Sequence, residues 1–280
     1  RPFFNSNSST GSNGSINVGN REVEISGGIV YGSVLGGAED GHVLGNTHVT
    51  VKPNEESHPD PVIGTWGTSS VDGNIFGGGR GLNGTNMQAG NVVGNVTVDI
   101  YGGTILGSIY GGGRLASVGP DFSKPETASN GFFQDDNTGL VTINISGGTI
   151  GNDRELIAPV SSNIPVELSS KALKDWNNDD WNTWQVHNNI PKTVFDKNTK
   201  TAKFTMGGKV YGGSMGRLTT LNGTFNSNWP KFAQVKNTVI NISGGTIKRD
   251  VLGGGELGTV KNDAHVNISG GTIGFDVYGG

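Results

Sequence analysis

Six short segments of this chain alternate β-branched apolar residues with polar ones. They are Val23-Glu24-Ile25, Val49-Thr50-Val51, Val98-Asp99-Ile100, Ile143-Asn144-Ile145, Ile240-Asn241-Ile242 and Val266-Asn267-Ile268. A period of two marks a strand with one buried face. The polar position varies between copies while the apolar positions stay Val or Ile, as a filled interior requires. A second apolar pair follows, nine residues after the strand end in the clean copies: Val34-Leu35, Ile75-Phe76, Ile109-Tyr110, Val210-Tyr211, Val251-Leu252 and Val277-Tyr278. A third apolar position lies nine residues further on at Val43, Val118 and Val260.

The clean copies recur every 26 residues, as from Ile242-Ser243-Gly244-Gly245-Thr246-Ile247 to Ile268-Ser269-Gly270-Gly271-Thr272-Ile273. A fixed period in this range marks a solenoid, propeller or array. Propeller blades need four strands and ~40–45 residues, so 26 is too short. The pattern predicts an all-β parallel β-helix of about six coils over 21–280, with three short strands per coil and Gly-Gly pairs at corners that need positive φ. Residues 1–20 read as an N-terminal segment or partial coil.

Asn20, Asn46, Asn95, Asn237 and Asp263 share one turn position, three residues before Val23, Val49, Val98, Ile240 and Val266. Asn tolerates the left-handed turn conformation, and stacked amides bond from coil to coil, so these five read as a structural ladder.

Against this template, extra sequence enters at roughly 53–70, 81–91, 120–138, 152–207 and 218–233, at two corners of the coil. The longest insertion reads as a subdomain. It has a short helix across Ser169–Trp176 and a hairpin in which Lys192–Phe195 and Ala202–Thr205 flank Asp196–Thr199. All five Tyr fall in the repeat and all five Trp in insertions. Function concentrates in loops on rigid scaffolds. Trp66 and Trp229 are therefore ligand-binding candidates, whereas Trp176, Trp181 and Trp184 read as the core of the subdomain.

Composition narrows the chemistry. Gly is 49 of 280 residues, at fixed phase rather than in linkers, and the chain has no cysteine. Disulfides, thiolate metal sites and cysteine nucleophiles are excluded. Net charge is −4 without long runs, which disfavours nucleic acid, and no apolar run spans a membrane. Asp135, Asp136, Asp179 and Asp180 sit in clusters of hard oxygen ligands suited to Ca²⁺, without the spacing of a known calcium loop; solvated turns are the competing reading. Other cofactors are not expected.

Glu39, Arg80, Arg114, Met215 and Glu256 share one position five residues after the second strand begins. Stacking at ~4.8 Å would set Arg80 beside Arg114. That pair suits an anionic ligand such as a uronate, or else belongs to a surface ladder with Glu39.

The phrase Val/Ile-x-Ile-Ser-Gly-Gly-Thr-Ile…Val-Tyr-Gly-Gly-Gly, carried by Ile145–Ile150 with Val210–Gly213, by Ile242–Gly255 and by Ile268–Gly280, resembles the Gly-rich repeats of very large bacterial cell-surface proteins, notably of Bacteroidetes, with adhesin-like β-helices. Ile100–Gly113 carries it with Tyr101 in place of Ser, and copy two departs with Lys52-Pro53 at its corner. The resemblance implies an extracellular or cell-surface location, a structural or adhesive role, and contacts to a glycan or a host or matrix surface. It carries over no catalytic residue. The expectation is thus a non-enzymatic solenoid segment of a larger surface or fibre protein. The alternative is a pectate-lyase-like enzyme acting on an anionic polysaccharide. The chain opens Arg1-Pro2-Phe3-Phe4 and closes within a repeat, so further coils or end-to-end self-association are expected.

Overall fold

The computed structural model describes residues 19–55, 58–64, 73–81, 89–119, 137–157, 164–187, 195–196, 201–216 and 232–280. Two compact units emerge: 1–151 with 207–280, and 152–206.

The first unit is a parallel β-solenoid with three six-stranded sheets, each strand paired to its equivalent in the next coil. The first sheet holds Arg21–Ile25, Thr47–Val51, Val96–Ile100, Leu140–Ile145, Asn237–Ile242 and Ala264–Ile268. Its register places Val51 beside Ile100, Ile100 beside Ile145, Ile145 beside Ile242 and Ile242 beside Ile268. The third sheet is built from the Val34–Leu35 set of strands through to Val277–Tyr278.

The second sheet differs from expectation. It consists of two-residue strands, Ile29–Val30, Val62–Ile63, Thr104–Ile105, Thr149–Ile150, Thr246–Ile247 and Thr272–Ile273. The sequence pattern assigns Thr-Ile to the Gly-Gly corner because two residues show no alternation. The third apolar position, instead of a full strand, forms isolated bridges joining Val43, Val92, Val118 and Val235, and one short pair, Gln234–Val235 with Thr259–Val260.

Val62–Ile63 also changes the insertion map. It splits the extra sequence of coil two between two corners, 53–61 and 64–74; 152–207 enters at the second of these, 81–91 and 218–233 enter before the fourth inward column, and 120–138 after it. The inserted sequence is spread around the coil, not confined to two corners.

Four inward columns meet in one core, where Val49, Val51, Ile100, Ile105, Ile109 and Val118 are fully buried. Burying such a side chain contributes about 1.5–3 kcal/mol. Where Thr replaces Val in an inward column, its hydroxyl is satisfied: Thr47 Oγ1 donates to the Gly77 carbonyl (2.7 Å) and Thr238 Oγ1 to that of Gly253 (2.6 Å).

Glycine matters for two separate reasons. Gly103, Gly148, Gly245 and Gly271 turn the first corner with φ of 81–84°. Gly77 turns nothing left-handed, but a Cβ there would lie 2.3 Å from Val96 Cγ1 and 2.4 Å from the Gly111 carbonyl oxygen. In coil two, Pro53 and Pro61 sit against Gly102 and Gly103 of coil three, so the proline-bracketed loop rests on a glycine corner instead of forming one.

The second unit contains an antiparallel sheet in which Thr201–Met206 pairs with Asn152–Ile157 and with Phe195–Asp196. The helix expected across Ser169–Trp176 is instead two 3₁₀ turns, Val166–Leu168 and Leu173–Asp175; the regular helix is Asn178–His187. Trp176, Trp181 and Trp184 are buried edge to face, with centroids 4.8 and 5.9 Å apart. They form this unit's core.

Candidate functional site: the polar ladders and the charged column

The turn-position residues work as a ladder, with a different bond from the one stacked amides suggest. Each side-chain oxygen accepts the backbone N–H of the equivalent residue one coil on: Asn20 from Asn46 (3.2 Å), Asn46 from Asn95 (2.8 Å), Asn95 from Leu140 (2.9 Å) and Asn237 from Asp263 (3.1 Å). Leu140 breaks the series, and there the Asn237 N–H turns to the Gly139 carbonyl (3.1 Å).

Two further corners repeat this device. Before the third sheet, Ser33 Oγ accepts from Asn74 N–H, Asn74 Oδ1 from Ser108, and Ser108 Oγ from Lys209, at 2.8–3.2 Å. Lys209 has no side-chain acceptor to offer and instead extends Nζ to Asp250 (3.0 Å). Before the fourth inward column, Asn91 Oδ1 accepts from Ser117 N–H (2.8 Å) and Ser117 Oγ from Gln234 N–H (3.0 Å). Sequence reasoning missed both ladders, although the signal is there: a short polar residue immediately precedes Val34, Ile75, Ile109, Val92 and Val118.

True amide-to-amide stacking occurs on the outer face of the first sheet. Asn144 Nδ2 donates to Asp99 Oδ1 (2.7 Å), Asn241 to Asn144 Oδ1 (2.8 Å) and Asn267 to Asn241 Oδ1 (2.9 Å). His48 Nε2 contacts the other Asp99 oxygen at 2.7 Å, with Thr50 Oγ1 at 3.2 Å and Glu22 3.9 Å from Nδ1. Thr50 and Asp99 approach the same ring nitrogen, and the Glu22 carboxylate on the opposite nitrogen is beyond hydrogen-bond distance, whereas a proton relay needs a nucleophile and a hydrogen-bonded carboxylate on opposite nitrogens. This cluster does not form a triad.

The charged column has the register read from the sequence. Glu39, Arg80, Arg114, Met215 and Glu256 are joined by successive parallel bridges. Arg80 Nη1 pairs with Glu39 Oε1 at 3.0 Å, both largely exposed. Glu256 accepts the hydroxyl of Tyr110 at 2.5 Å, two coils back. Beside this column, Phe76, Tyr110 and Tyr211 stack face to face, with centroids 4.9 and 4.8 Å apart.

Asn177 and Asp180 cap the helix Asn178–His187, and Asp179 contributes only its backbone N–H. Asn177 Oδ1 accepts from the backbone N–H of Asp179 (2.9 Å) and Asp180 (3.0 Å), while Asp180 Oδ2 accepts from Asn177 N–H (2.7 Å) and from Lys171 Nζ. The Lys171 bond, followed by that from Asn177, holds the Asp180 carboxyl below the usual aspartate range. Among the described residues, no group of three or more His, Asp or Glu is placed to hold a metal ion. Trp66, Trp229, Asp135 and Asp136 lie outside the described residues.

No protein-family model, curated protein or solved structure matches the chain. What stands is a repetitive parallel β-solenoid. Among the described residues, no helix is long and apolar enough to cross a membrane.

Proposed function

We propose that this chain is a non-enzymatic, extracellular segment of a structural or adhesive surface protein, with its inserted loops contacting a glycan or protein. The observation that carries this reading is the outer face of the first sheet. Its polar side chains Asp99, Asn144, Asn241 and Asn267 are bonded to one another from coil to coil, so the face is used as structure. The Gly-rich repeat phrase supports the surface location through its resemblance to bacterial adhesin-like β-helices.

A second reading rests on the adjacency of Arg80 and Arg114, which would grip an acidic polysaccharide in a lyase-like enzyme. One experiment separates the two: the chain is incubated with immobilised glycans, matrix proteins and acidic polysaccharides, and both retention and product release are recorded. Retention without product release is expected. Turnover of polygalacturonate, lost in Arg80→Ala or Arg114→Ala, would overturn the proposal in favour of the enzyme.

A further inference from the structure

The extra residues between Val51 and Val62 are absent from every other coil, and the described ones among them, 53–55 and 58–61, border a surface cleft. A cleft of about 810 Å³ lies between this loop and the first corner of coil one, lined by Glu24, Ile29, Asn54, Pro59, Asp60 and Val62 among others. That volume lies within the ~300–1,000 Å³ of small-molecule sites.

The phase of the lining residues shows which way the cleft faces. Glu24 is in register with outward Thr50, and Ile29 with outward Val62, while Val30, Ile63 and Ile25, which borders the inner edge of the cleft, point into the core. A coil stacked on coil one would pair along the strand edges and leave this outward surface open. The cleft is therefore lateral and suits an external ligand.

The two described ends of this loop are held in place. Pro53 and Pro61 rest on Gly102 and Gly103, and Asn54 lies so close to Gly27 that a Cβ there would be 2.8 Å from its Nδ2. Across the loop, Asp60 Oδ1 accepts the Asn54 N–H at 3.0 Å.

The chemistry is amphipathic. Ile29, 60% exposed, and Val62 form an aliphatic floor, with Pro59 beside them. Glu24, Asn54, His58 and Asp60 supply polar groups, so that among the described residues two carboxylates and one imidazole, but no Lys or Arg, line the cleft. Glu24 is paired with Lys52 at 2.9 Å, which holds the Lys52 ammonium above its ordinary pKa. Asp60 has taken one backbone N–H, and a carboxylate accepts about four hydrogen bonds. An aliphatic floor beneath carboxylate acceptors matches a sugar ring, with C–H on one face and donors at its edge. It disfavours a negatively charged one.

We propose that this cleft binds the end of a glycan made of uncharged or amine-bearing sugars and rejects uronates. This deepens the adhesive reading above and rests on it. The probes are glucosamine trimer, mannotriose and trigalacturonate, titrated into the intact chain by calorimetry and by NMR of the Ile29, Val62 and Asn54 signals. Glucosamine trimer is expected to bind most tightly, mannotriose next, and trigalacturonate not at all. Ile29→Arg, at an exposed position that leaves the core untouched, abolishes binding, and Asp60→Asn weakens the glucosamine trimer about tenfold while keeping an acceptor for Asn54. Unchanged melting of both variants shows that the fold persists. Should Asp60→Asn unfold the loop, Ile29→Arg alone carries the test. Binding that survives Ile29→Arg, or trigalacturonate moving the same signals, overturns the inference. If the glycan and matrix arrays retain the wild-type chain and Ile29→Arg equally, the cleft is wrong and the adhesive reading survives. If nothing on the arrays retains the chain, both fail.

Discussion

Asn241 stands directly over Asn144, donating its side-chain amide at 2.8 Å across 97 residues of sequence that include a separate compact unit. Asn144 in turn donates to Asp99, so each amide is both donor and acceptor. Asn144→Ala removes a partner from both neighbours, and partly buried groups left unpaired cost about 1–3 kcal/mol. We expect a loss of about 2 kcal/mol in denaturant unfolding for Asn144→Ala, and a smaller one for Asn267→Ala, which has a single neighbour among the described coils. Equal losses at the two positions would argue against the ladder.

The interior columns predict a larger effect. Ile100 is fully buried between Val51 and Ile145. Ile100→Ala should cost about 2–5 kcal/mol, the range for large-to-small core changes. Glu39→Ala, which breaks only the exposed pair with Arg80, should stay below about 1 kcal/mol. Equilibrium unfolding of the two variants side by side checks both values.

The glycines separate strain from crowding. Gly28 and Gly148 both have positive φ, 78° and 81°, but a Cβ at Gly28 meets nothing within 4 Å while one at Gly148 lies 2.9 Å from the Gly102 carbonyl oxygen. Gly28→Ala should cost about 1 kcal/mol, the backbone term alone. Gly148→Ala should cost clearly more, and Gly77→Ala, with a Cβ 2.3 Å from Val96, should prevent the coil from closing. Thermal melts showing the same loss for Gly28→Ala and Gly148→Ala would contradict this order.

The helix cap predicts a pH dependence. Asp180 has its folded-state carboxyl depressed by Lys171 and then by Asn177 N–H. A depressed carboxyl contributes stability that is complete above the ordinary aspartate range, near ~3.9, and is lost as pH falls through the lower folded value. Amide signals of Thr183 and Trp184 should therefore hold steady down to that range and lose exchange protection below it. In Asp180→Asn that acid transition should disappear, with protection reduced at neutral pH. A transition unchanged by the substitution would assign it to another group.

The sequence showed the first sheet because Val-x-Ile alternation over several residues has one physical reading, and it showed the Arg80–Arg114 adjacency because register follows from the repeat. It concealed the second sheet because Thr149–Ile150 and its equivalents are two residues long and adjoin glycines that look like a corner. Val62–Ile63 was hidden more deeply, in a proline-bracketed loop. The Asn46–Asn95 ladder was legible by position, but its bond to backbone N–H was not, since composition does not reveal which donor an amide oxygen faces. Asp179 and Asp180 show the same limit: an acidic pair reads as calcium ligands or as a solvated turn, and only the placement of Lys171 and Asn177 shows Asp180 bonded at a helix N-terminus.

The most direct test of the stacked-coil account uses the absence of cysteine, which leaves no background thiol. Parallel neighbours sit ~4.8 Å apart, within the ~4.4–6.8 Å Cα range that a disulfide spans. The double variant Asn144→Cys with Asn241→Cys is oxidised under mild conditions, and the product is read by mass spectrometry after proteolysis. The account predicts rapid formation of one intramolecular disulfide linking the two positions. Persistent free thiols, or disulfides formed only between molecules, would contradict it.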